Sequence, residues 1–438
     1  MNKISTKEFA QRRKKLMEQI GDDAIAIIPS AELKIRNRDA EFIFRQDSDF
    51  LYLTGFNEPE SVAVLVPSRE ESEFILFCRE KDPKTEQWTG RMAGLEGAVE
   101  DYAADDAFPI DDIDDILPGI MENRNKVYYS VGNNQDFDTQ VISWVNSLRA
   151  KVRNGTQAPH EFISLDVFLH EMRLFKSPEE QQVMKDAAAV SVRAHERAMA
   201  TTQDGMMEYE IDAEYMHEFR KAGMVPAYTS IVGGGENGCI LHYIDNNQKL
   251  KGDDLLLIDA GAENQGYASD ITRTYPVGGK FSEAQGILYQ IVLDAQYAAI
   301  EQAKPGNTWI DPHNAAVRVI TEGLVANGLL EGDVDELIAE NKYFPFYMHK
   351  TGHWLGLDVH DVGDYKINEE WRELEPGMAL TIEPGIYVSP SADVDEKWWN
   401  IGIRIEDDVL ITETGNEVLT GALIKEIDDI ETHMKQAS

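Results

Sequence analysis

The sequence predicts a two-domain protein: a mixed α/β domain over residues 1–173 and a second, α+β domain over residues 174–438. Three observations carry this. Short apolar runs alternate with helical patterns through the first part, which reads as an α/β layer. A fully capped helix start falls at Ser177, and the character of the chain changes beyond it. Two similar pairs of long apolar strands then each follow helical segments. They read as a weak, pseudo-twofold duplication with helices packed over one curved antiparallel sheet.

The first domain opens with a polar helix over residues 5–20, followed by apolar strands at 24–29, 61–66 and 74–78. Between the first two strands, Phe42 to Phe56 is dense in aromatic residues. A strand at 127–130 and a helix at 139–152 add a further α/β unit. The acidic run Glu100-Asp101, Asp105-Asp106, Asp111-Asp112, Asp114-Asp115 lacks the Gly hinge and closing Glu of a calcium loop, and Pro109 and Pro118 interrupt it. It reads as solvated surface. At the boundary Ser177 is a natural N-cap, Pro178 suits the first helical position, and Glu180 closes a capping box. A long Ala-rich helix then runs to about Met199.

The first strand pair is Leu255-Leu256-Leu257-Ile258-Asp259 with a return over 267–277, after a helix at 211–222. The second is Met378-Ala379-Leu380-Thr381-Ile382-Glu383 with a return over 400–409, after helices at 281–304 and 312–327.

Composition narrows the function classes. The 438 residues hold 41 Lys and Arg against 79 Asp and Glu, a formal charge of −38. So negative a surface repels phosphate backbones and anionic lipid, which disfavours a nucleic-acid or membrane partner. Two cysteines, Cys78 and Cys239, are too few for a disulfide framework or a thiolate metal site. No segment approaches a membrane span, and the polar start of the chain, with Arg12, Arg13, Lys14 and Lys15, is no secretory signal. A cytoplasmic location is expected.

The strands carry charges that a core rejects. Asp259 follows four apolar residues, and a hairpin centred on Asn264-Gln265 sets Asp270 directly opposite it. Opposed residues have Cβ atoms about 4.5–5.5 Å apart, and two carboxylates that close among Leu and Ile require a cation. Glu383 ends an apolar strand, and Glu406 sits in the alternation Ile401-Gly402-Ile403-Arg404-Ile405-Glu406. His349, His353 and His360 fall within twelve residues, among Gly352, Gly356 and Gly363. The carboxylates with an imidazole form a hard, oxygen-rich set that favours manganese, or cobalt in its place, over zinc. Five ligand side chains suit two ions better than one.

Gly233-Gly234-Gly235-Glu236-Asn237-Gly238 matches a dinucleotide fingerprint. Such a motif must open a helix, yet Cys239-Ile240-Leu241-His242-Tyr243 reads as strand.

The spacing of Asp259, Asp270, His353, Glu383 and Glu406 resembles the five-ligand signature of the pita-bread metallopeptidases, which include methionine aminopeptidase, prolidase and aminopeptidase P. Phe44-Arg45-Gln46-Asp47-Ser48-Asp49-Phe50, Asp270-Ile271-Thr272-Arg273-Thr274, the run His353 to Asp361, Ile382-Glu383-Pro384-Gly385 and Gly402 to Asp407 are similar to bacterial aminopeptidase P. The resemblance spans nearly the whole chain. It implies a pita-bread catalytic domain and an enzyme that removes an N-terminal residue preceding proline. By it Asp259 holds one divalent ion, His353 and Glu383 the other, and Asp270 and Glu406 bridge them. A hydroxide between the ions would attack the scissile carbonyl, with Glu383 as proton acceptor and donor. His242 and His360 would contact substrate, His349 borders the pocket, and Arg404 orients the ligands. Trp88 matches a tryptophan that reaches the pocket across a subunit boundary, which implies a homo-oligomer, a dimer or tetramer. Prolidase, with organophosphate hydrolysis as a side activity, is the rival within the fold. Metal-free relatives have lost ligands, and here all five are present.

Overall fold

The structure, a computed structural model, describes residues 2–437. The chain divides into two compact units, one of Lys3–Arg173 and one from Leu174 onward together with Asn2. No helix among the described residues is long and apolar enough to cross a membrane.

The first unit is built on a six-stranded sheet in the order Asp106–Pro109, Phe74–Cys78, Val62–Leu65, Ala24–Pro29, Lys126–Tyr128, Glu161–Ile163. The sheet is mixed: Ala24–Pro29 runs antiparallel to Val62–Leu65 and parallel to Lys126–Tyr128. Ile25, Ile27, Val64, Ile75, Phe77 and Val127 pack with Val141, Trp144 and Leu148 of the helix Gln135–Arg149. The α/β layer is as expected, but the two edge strands were not. Both are short, each opens on an exposed carboxylate, Asp106 or Glu161, and none of their residues is fully buried, so neither gives a long apolar run. The acidic run lies at the surface as expected, with all eight of its carboxylates exposed, and two of them also tie down neighbours. Asp105 accepts the Phe74 N–H at 2.8 Å and Asp114 accepts the Trp144 indole N–H at 2.7 Å. Pro118 lies inside the helix Ile113–Met121 rather than ending it.

The second unit opens with the helix Pro178–Thr201. Its capping box is formed: Ser177 Oγ accepts the Glu180 N–H at 3.4 Å, and the Glu180 carboxylate accepts the Ser177 N–H at 2.8 Å. This helix packs on Glu208–Lys221, and Glu283–Gln302 packs on Ile310–Ala326. One core joins these helices to both hairpins, with Ala194, Tyr215, Val292 and Ile320 against Leu256, Ile258, Leu380 and Ile403.

Each hairpin is interrupted midway. Leu255–Asp259 pairs with Thr272–Pro276 and, past the break, Ala262–Asn264 pairs with Tyr267–Ala268. Likewise Ala379–Ile382 pairs with Asp407–Thr412 and Gly385–Val388 with Ile401–Arg404. Only glycine fits at the first break, since a Cβ at Gly261 would stand 1.7 Å from the Ser269 carbonyl oxygen.

The register of the first hairpin corrects the expectation. Gln265 and Gly266 form the turn with φ of 52° and 88°, the left-handed pair of a type I′ loop. Asn264 therefore faces Tyr267, and Asp259 faces Thr272 rather than Asp270. A slip of two residues preserves the face, so Asp270 becomes the diagonal neighbour of Asp259 on the same side.

Candidate metal centre

The four carboxylates expected from the sequence all sit at the hairpin breaks. Asp259 ends its strand, Asp270 precedes Thr272, Glu383 follows Ile382, and Glu406 precedes Asp407. At a break the main chain is released from its own ladder and takes other partners. The Glu383 N–H donates to Thr351 O at 2.7 Å, Glu406 N–H to Thr272 O at 3.0 Å, and Asp270 N–H to the Asp408 carboxylate at 3.1 Å. These bonds cross between elements and draw both hairpins to one point.

Donor atoms of Asp270, His353 and Glu406 lie within 4.8 Å of one another. His353 Nε2 is 3.4 Å from Asp270 Oδ2 and 3.7 Å from Glu383 Oε1, while its Nδ1 lies 2.9 Å from the Trp354 carbonyl. Donation to that carbonyl leaves Nε2 facing the carboxylates. Asp259 joins through Tyr228, whose hydroxyl reaches Asp259 Oδ1 at 2.6 Å and also contacts Asp270 Oδ1. Arg404 donates to Asp259 Oδ2 at 2.6 Å, to Tyr387 at 3.0 Å and to Thr272 Oγ1 at 3.1 Å. Thr272 Oγ1 in turn donates to Glu406 at 2.7 Å.

The electrostatics show a cluster short of positive charge. Burial, then the charges of Asp270, Glu383 and Asp259, push Glu406 well above the carboxylate range. Burial raises Glu383 to about 7, against the pull of His353 and Arg404. Asp259 is raised by burial, with Arg404 pulling it down and Asp270 pushing it up. Burial works against the His353 charge, but the Asp270 hydrogen bond and the charges of Glu383 and Asp270 outweigh it and lift it to about 9. Divalent cations reverse this logic by favouring every ionised carboxylate. The donor set therefore fits divalent metal ions. A second trio in the first unit, Asp49, Asp166 and His170, differs: the Arg173 guanidinium already sits 2.8 Å from Asp49.

The remaining histidines border this cluster. The His360 ring lies against that of His353, centroids 4.1 Å apart and planes tilted by 50°. His349 Nε2 meets the Tyr387 hydroxyl at 2.9 Å, its Nδ1 meets the Lys350 carbonyl at 2.8 Å, and burial and then Arg404 hold it neutral, down to about 3. His242 is exposed and close enough to both His349 and His360 to act on them electrostatically. Trp88 belongs to the first unit, where it is 88% exposed on the short helix Pro83–Thr89.

One expectation near the centre needs correction. Cys239 to Tyr243 is not a strand: Ile231–Gly234 is followed by a 3₁₀ turn over Gly235–Cys239 and then irregular chain. The Gly-rich motif still opens no long helix. Arg404, expected to orient the ligands, makes its ion pair with Asp259. Tyr228, Tyr387, Thr272 and Asp408 escaped the sequence reading. Tyr387 was findable, since Glu383, Gly385 and Tyr387 share strand parity. Tyr228 precedes the strand Ile231–Gly234 and carries no such signal.

Residues 182–413 match the model of metallopeptidase family M24, and residues 9–128 match the aminopeptidase P N-terminal domain. The chain is 46% identical to the Xaa-Pro aminopeptidase of Escherichia coli K12, covering 100% of this chain and 99% of that one. It is 44% identical to the Xaa-Pro aminopeptidase of Haemophilus influenzae, covering 99% and 98%. Its structure superposes on Pseudomonas aeruginosa aminopeptidase PepP with a TM-score of 0.99 at 55% identity, covering 100% and 99%. It also superposes on zinc-substituted E. coli aminopeptidase P in complex with product, with a TM-score of 0.97 at 46% identity and the same coverage. The chain belongs to metallopeptidase family M24, with the pita-bread catalytic domain and the N-terminal domain of the aminopeptidases P.

Proposed function

We propose that this protein is an Xaa-Pro aminopeptidase that hydrolyses the bond between an N-terminal residue and a following proline. The observation that carries this is the convergence of Asp270, His353 and Glu406, with Glu383 and Asp259 beside them, in a chain that matches Xaa-Pro aminopeptidases over its full length. Asp259, Asp270, His353, Glu383 and Glu406 would hold two divalent ions, manganese by the hardness of the donor set, with cobalt or zinc able to substitute. When bound, such ions polarise the scissile carbonyl and make water acidic enough to act near neutral pH.

The chain's own residues do the rest. Glu383 takes a proton from the attacking water and returns it to the proline nitrogen as the C–N bond breaks, so the step is balanced. His242 and His360 hold the substrate carbonyl region. His349, kept neutral, fixes the Tyr387 hydroxyl, and Arg404 holds Asp259 and Tyr387 in place. The exposure of Trp88 supports a further role for its indole, in substrate binding within a homo-oligomer. The strongly negative charge supports work in the cytoplasm. Proline is required because it lacks an N–H, and a pocket shaped to its ring leaves any other amide hydrogen unpaired.

The test is kcat/KM on Xaa-Pro-Yaa, Xaa-Pro and Xaa-Ala-Yaa peptides with metal-loaded enzyme. The tripeptide with proline is expected to be cut best. Preference for the free dipeptide would make the protein a prolidase, and equal rates on the alanine peptide a broader aminopeptidase.

A further inference from the structure

The Gly-rich stretch Gly233–Gly238, left without a role by the reaction, encloses a carboxylate. Glu208, the first residue of the helix Glu208–Lys221, has no exposed surface. Its Oε1 accepts the Gly234 N–H at 2.9 Å and the Asn237 side-chain amide at 3.0 Å. Its Oε2 accepts the Tyr243 hydroxyl at 2.8 Å and the Gln248 N–H at 2.8 Å. A buried carboxylate persists only when its lone pairs are met, and four neutral donors meet these. The glycine turn that looked able to cradle a phosphate cradles this internal anion instead.

All four donors come from the segment 234–248, and they lie at its start, its middle and its end. The Glu208 N–H also donates to Gln248 O at 3.0 Å, and Met207 bridges to Lys249, which closes the far end on the same point. Tyr243 is the central anchor. Its ring packs with Ile231, Leu257 and Tyr387, and its hydroxyl rests on Glu208. The residue before it is His242. The start of the segment is locked as well: a Cβ on Gly402 would lie 2.2 Å from Gly238 O, so the turn sits directly on the strand that leads to Arg404.

We propose that Glu208 is a positioning residue for peptide hydrolysis: its carboxylate gathers the segment 234–248 and thereby fixes His242 against the substrate. This rests on the reading of His242 as a substrate contact. The chemistry of such a contact tolerates little displacement, since a shift of about 1 Å can cost about a hundredfold in rate.

The test is a double-mutant cycle on metal-loaded, full-length enzyme with an Xaa-Pro-Yaa tripeptide. Glu208→Gln keeps the shape but turns an amide NH₂ towards groups that themselves donate. We expect kcat/KM to fall about ten- to a hundredfold. Metal content should stay unchanged, and amide exchange should speed up over 234–248 but not over 255–259. In a His242→Ala background the same substitution is expected to cost less than about twofold. If Glu208→Gln does not fold, Tyr243→Phe, which removes one of the four bonds, takes its place, with a fall of about threefold that also vanishes without His242. An undiminished rate in the substituted protein overturns the proposal. So does an equal fold-loss in both backgrounds, or loss of metal that accounts for the rate. A His242→Ala enzyme with full activity would instead sink the reading of His242 itself, and the proposal with it.

Discussion

Asp407 has no exposed surface and accepts from four groups: Arg273 at 2.8 Å, Lys425 and Thr420 at 2.7 Å, and Gln296 at 2.9 Å. Arg273, equally buried, also donates to Glu406 O at 2.6 Å and to Thr272 O, Leu423 O and Ile424 O. The network therefore holds the peptide beside Glu406 and Thr272. Removing one partner of a buried ion pair costs about 3–5 kcal/mol, because the other charge is left stranded. The two ends differ. Arg273→Met leaves Asp407 still neutralised by Lys425, so the cost belongs at the lower end, about 3 kcal/mol. Asp407→Asn strands both Arg273 and Lys425, so about 5 kcal/mol is expected. At about 2–4 °C per kcal/mol, the unfolding midpoint of the catalytic unit should drop roughly 6–12 °C for the first and 10–20 °C for the second. Thermal unfolding by calorimetry reads both, and resolves the two units where they melt separately. A loss under about 1 kcal/mol for Asp407→Asn, or a larger loss for Arg273→Met, would refute the reasoning. Burial disfavours the charge, but Arg273 and Lys425 overcome it and hold Asp407 down at about 2, so its contribution is present above the usual carboxylate range. It is lost as pH falls towards 2.

The other predictions concern the site and its support. Glu383→Gln should keep the fold and lose about 10²–10⁴-fold in kcat, more if metal affinity also falls. Peptide assays paired with metal analysis decide this, and wild-type turnover with full metal content would remove Glu383 from the mechanism. Tyr228→Phe deletes the hydroxyl shared by Asp259 and Asp270, so metal affinity should weaken about 10–100-fold, measured by competition with a chelator. Unchanged affinity would leave Tyr228 without a supporting role. His195 is buried between Ala260 O at 3.0 Å and the Tyr215 hydroxyl at 2.7 Å, and burial and then Arg273 push it down to about 3. Its folded value lies below the unfolded value of about 6.5, so stability falls as pH drops through that window, by about 2 kcal/mol at pH 5. His195→Gln should flatten that slope in denaturant titrations; an unchanged slope would place the acid sensitivity elsewhere.

Much of this site was legible because charges in apolar strands are conspicuous. Asp259, Glu383 and Glu406 stand out against Leu, Ile and Val, and the Ser177–Glu180 cap marked a helix start that is formed. What escaped depended on three-dimensional pairing. The first hairpin was centred one residue early because the left-handed demands of the Gln265-Gly266 turn are not visible in the apolar pattern. Cys239 to Tyr243 has the composition of a strand, yet Glu208 captures its neighbours from 26–40 residues away and leaves it irregular. Tyr228 and Asp408 reach the centre from positions that no periodicity singles out. The edge strands Asp106–Pro109 and Glu161–Ile163 are too short and too mixed to give a pattern; they form by pairing with Phe74–Cys78 and Lys126–Tyr128, and Phe108 packs on the core beside Phe77.

The central claim is that Asp259, Asp270, His353, Glu383 and Glu406 hold two divalent ions on which peptide hydrolysis depends. The most direct measurement is metal content per chain alongside Xaa-Pro-Yaa cleavage, before chelation, after it, and on adding back manganese, cobalt or zinc. Two ions per active chain are expected, with loss of activity in step with their removal and better recovery with manganese or cobalt than with zinc. Full activity in a sample shown to be free of metal would contradict that claim.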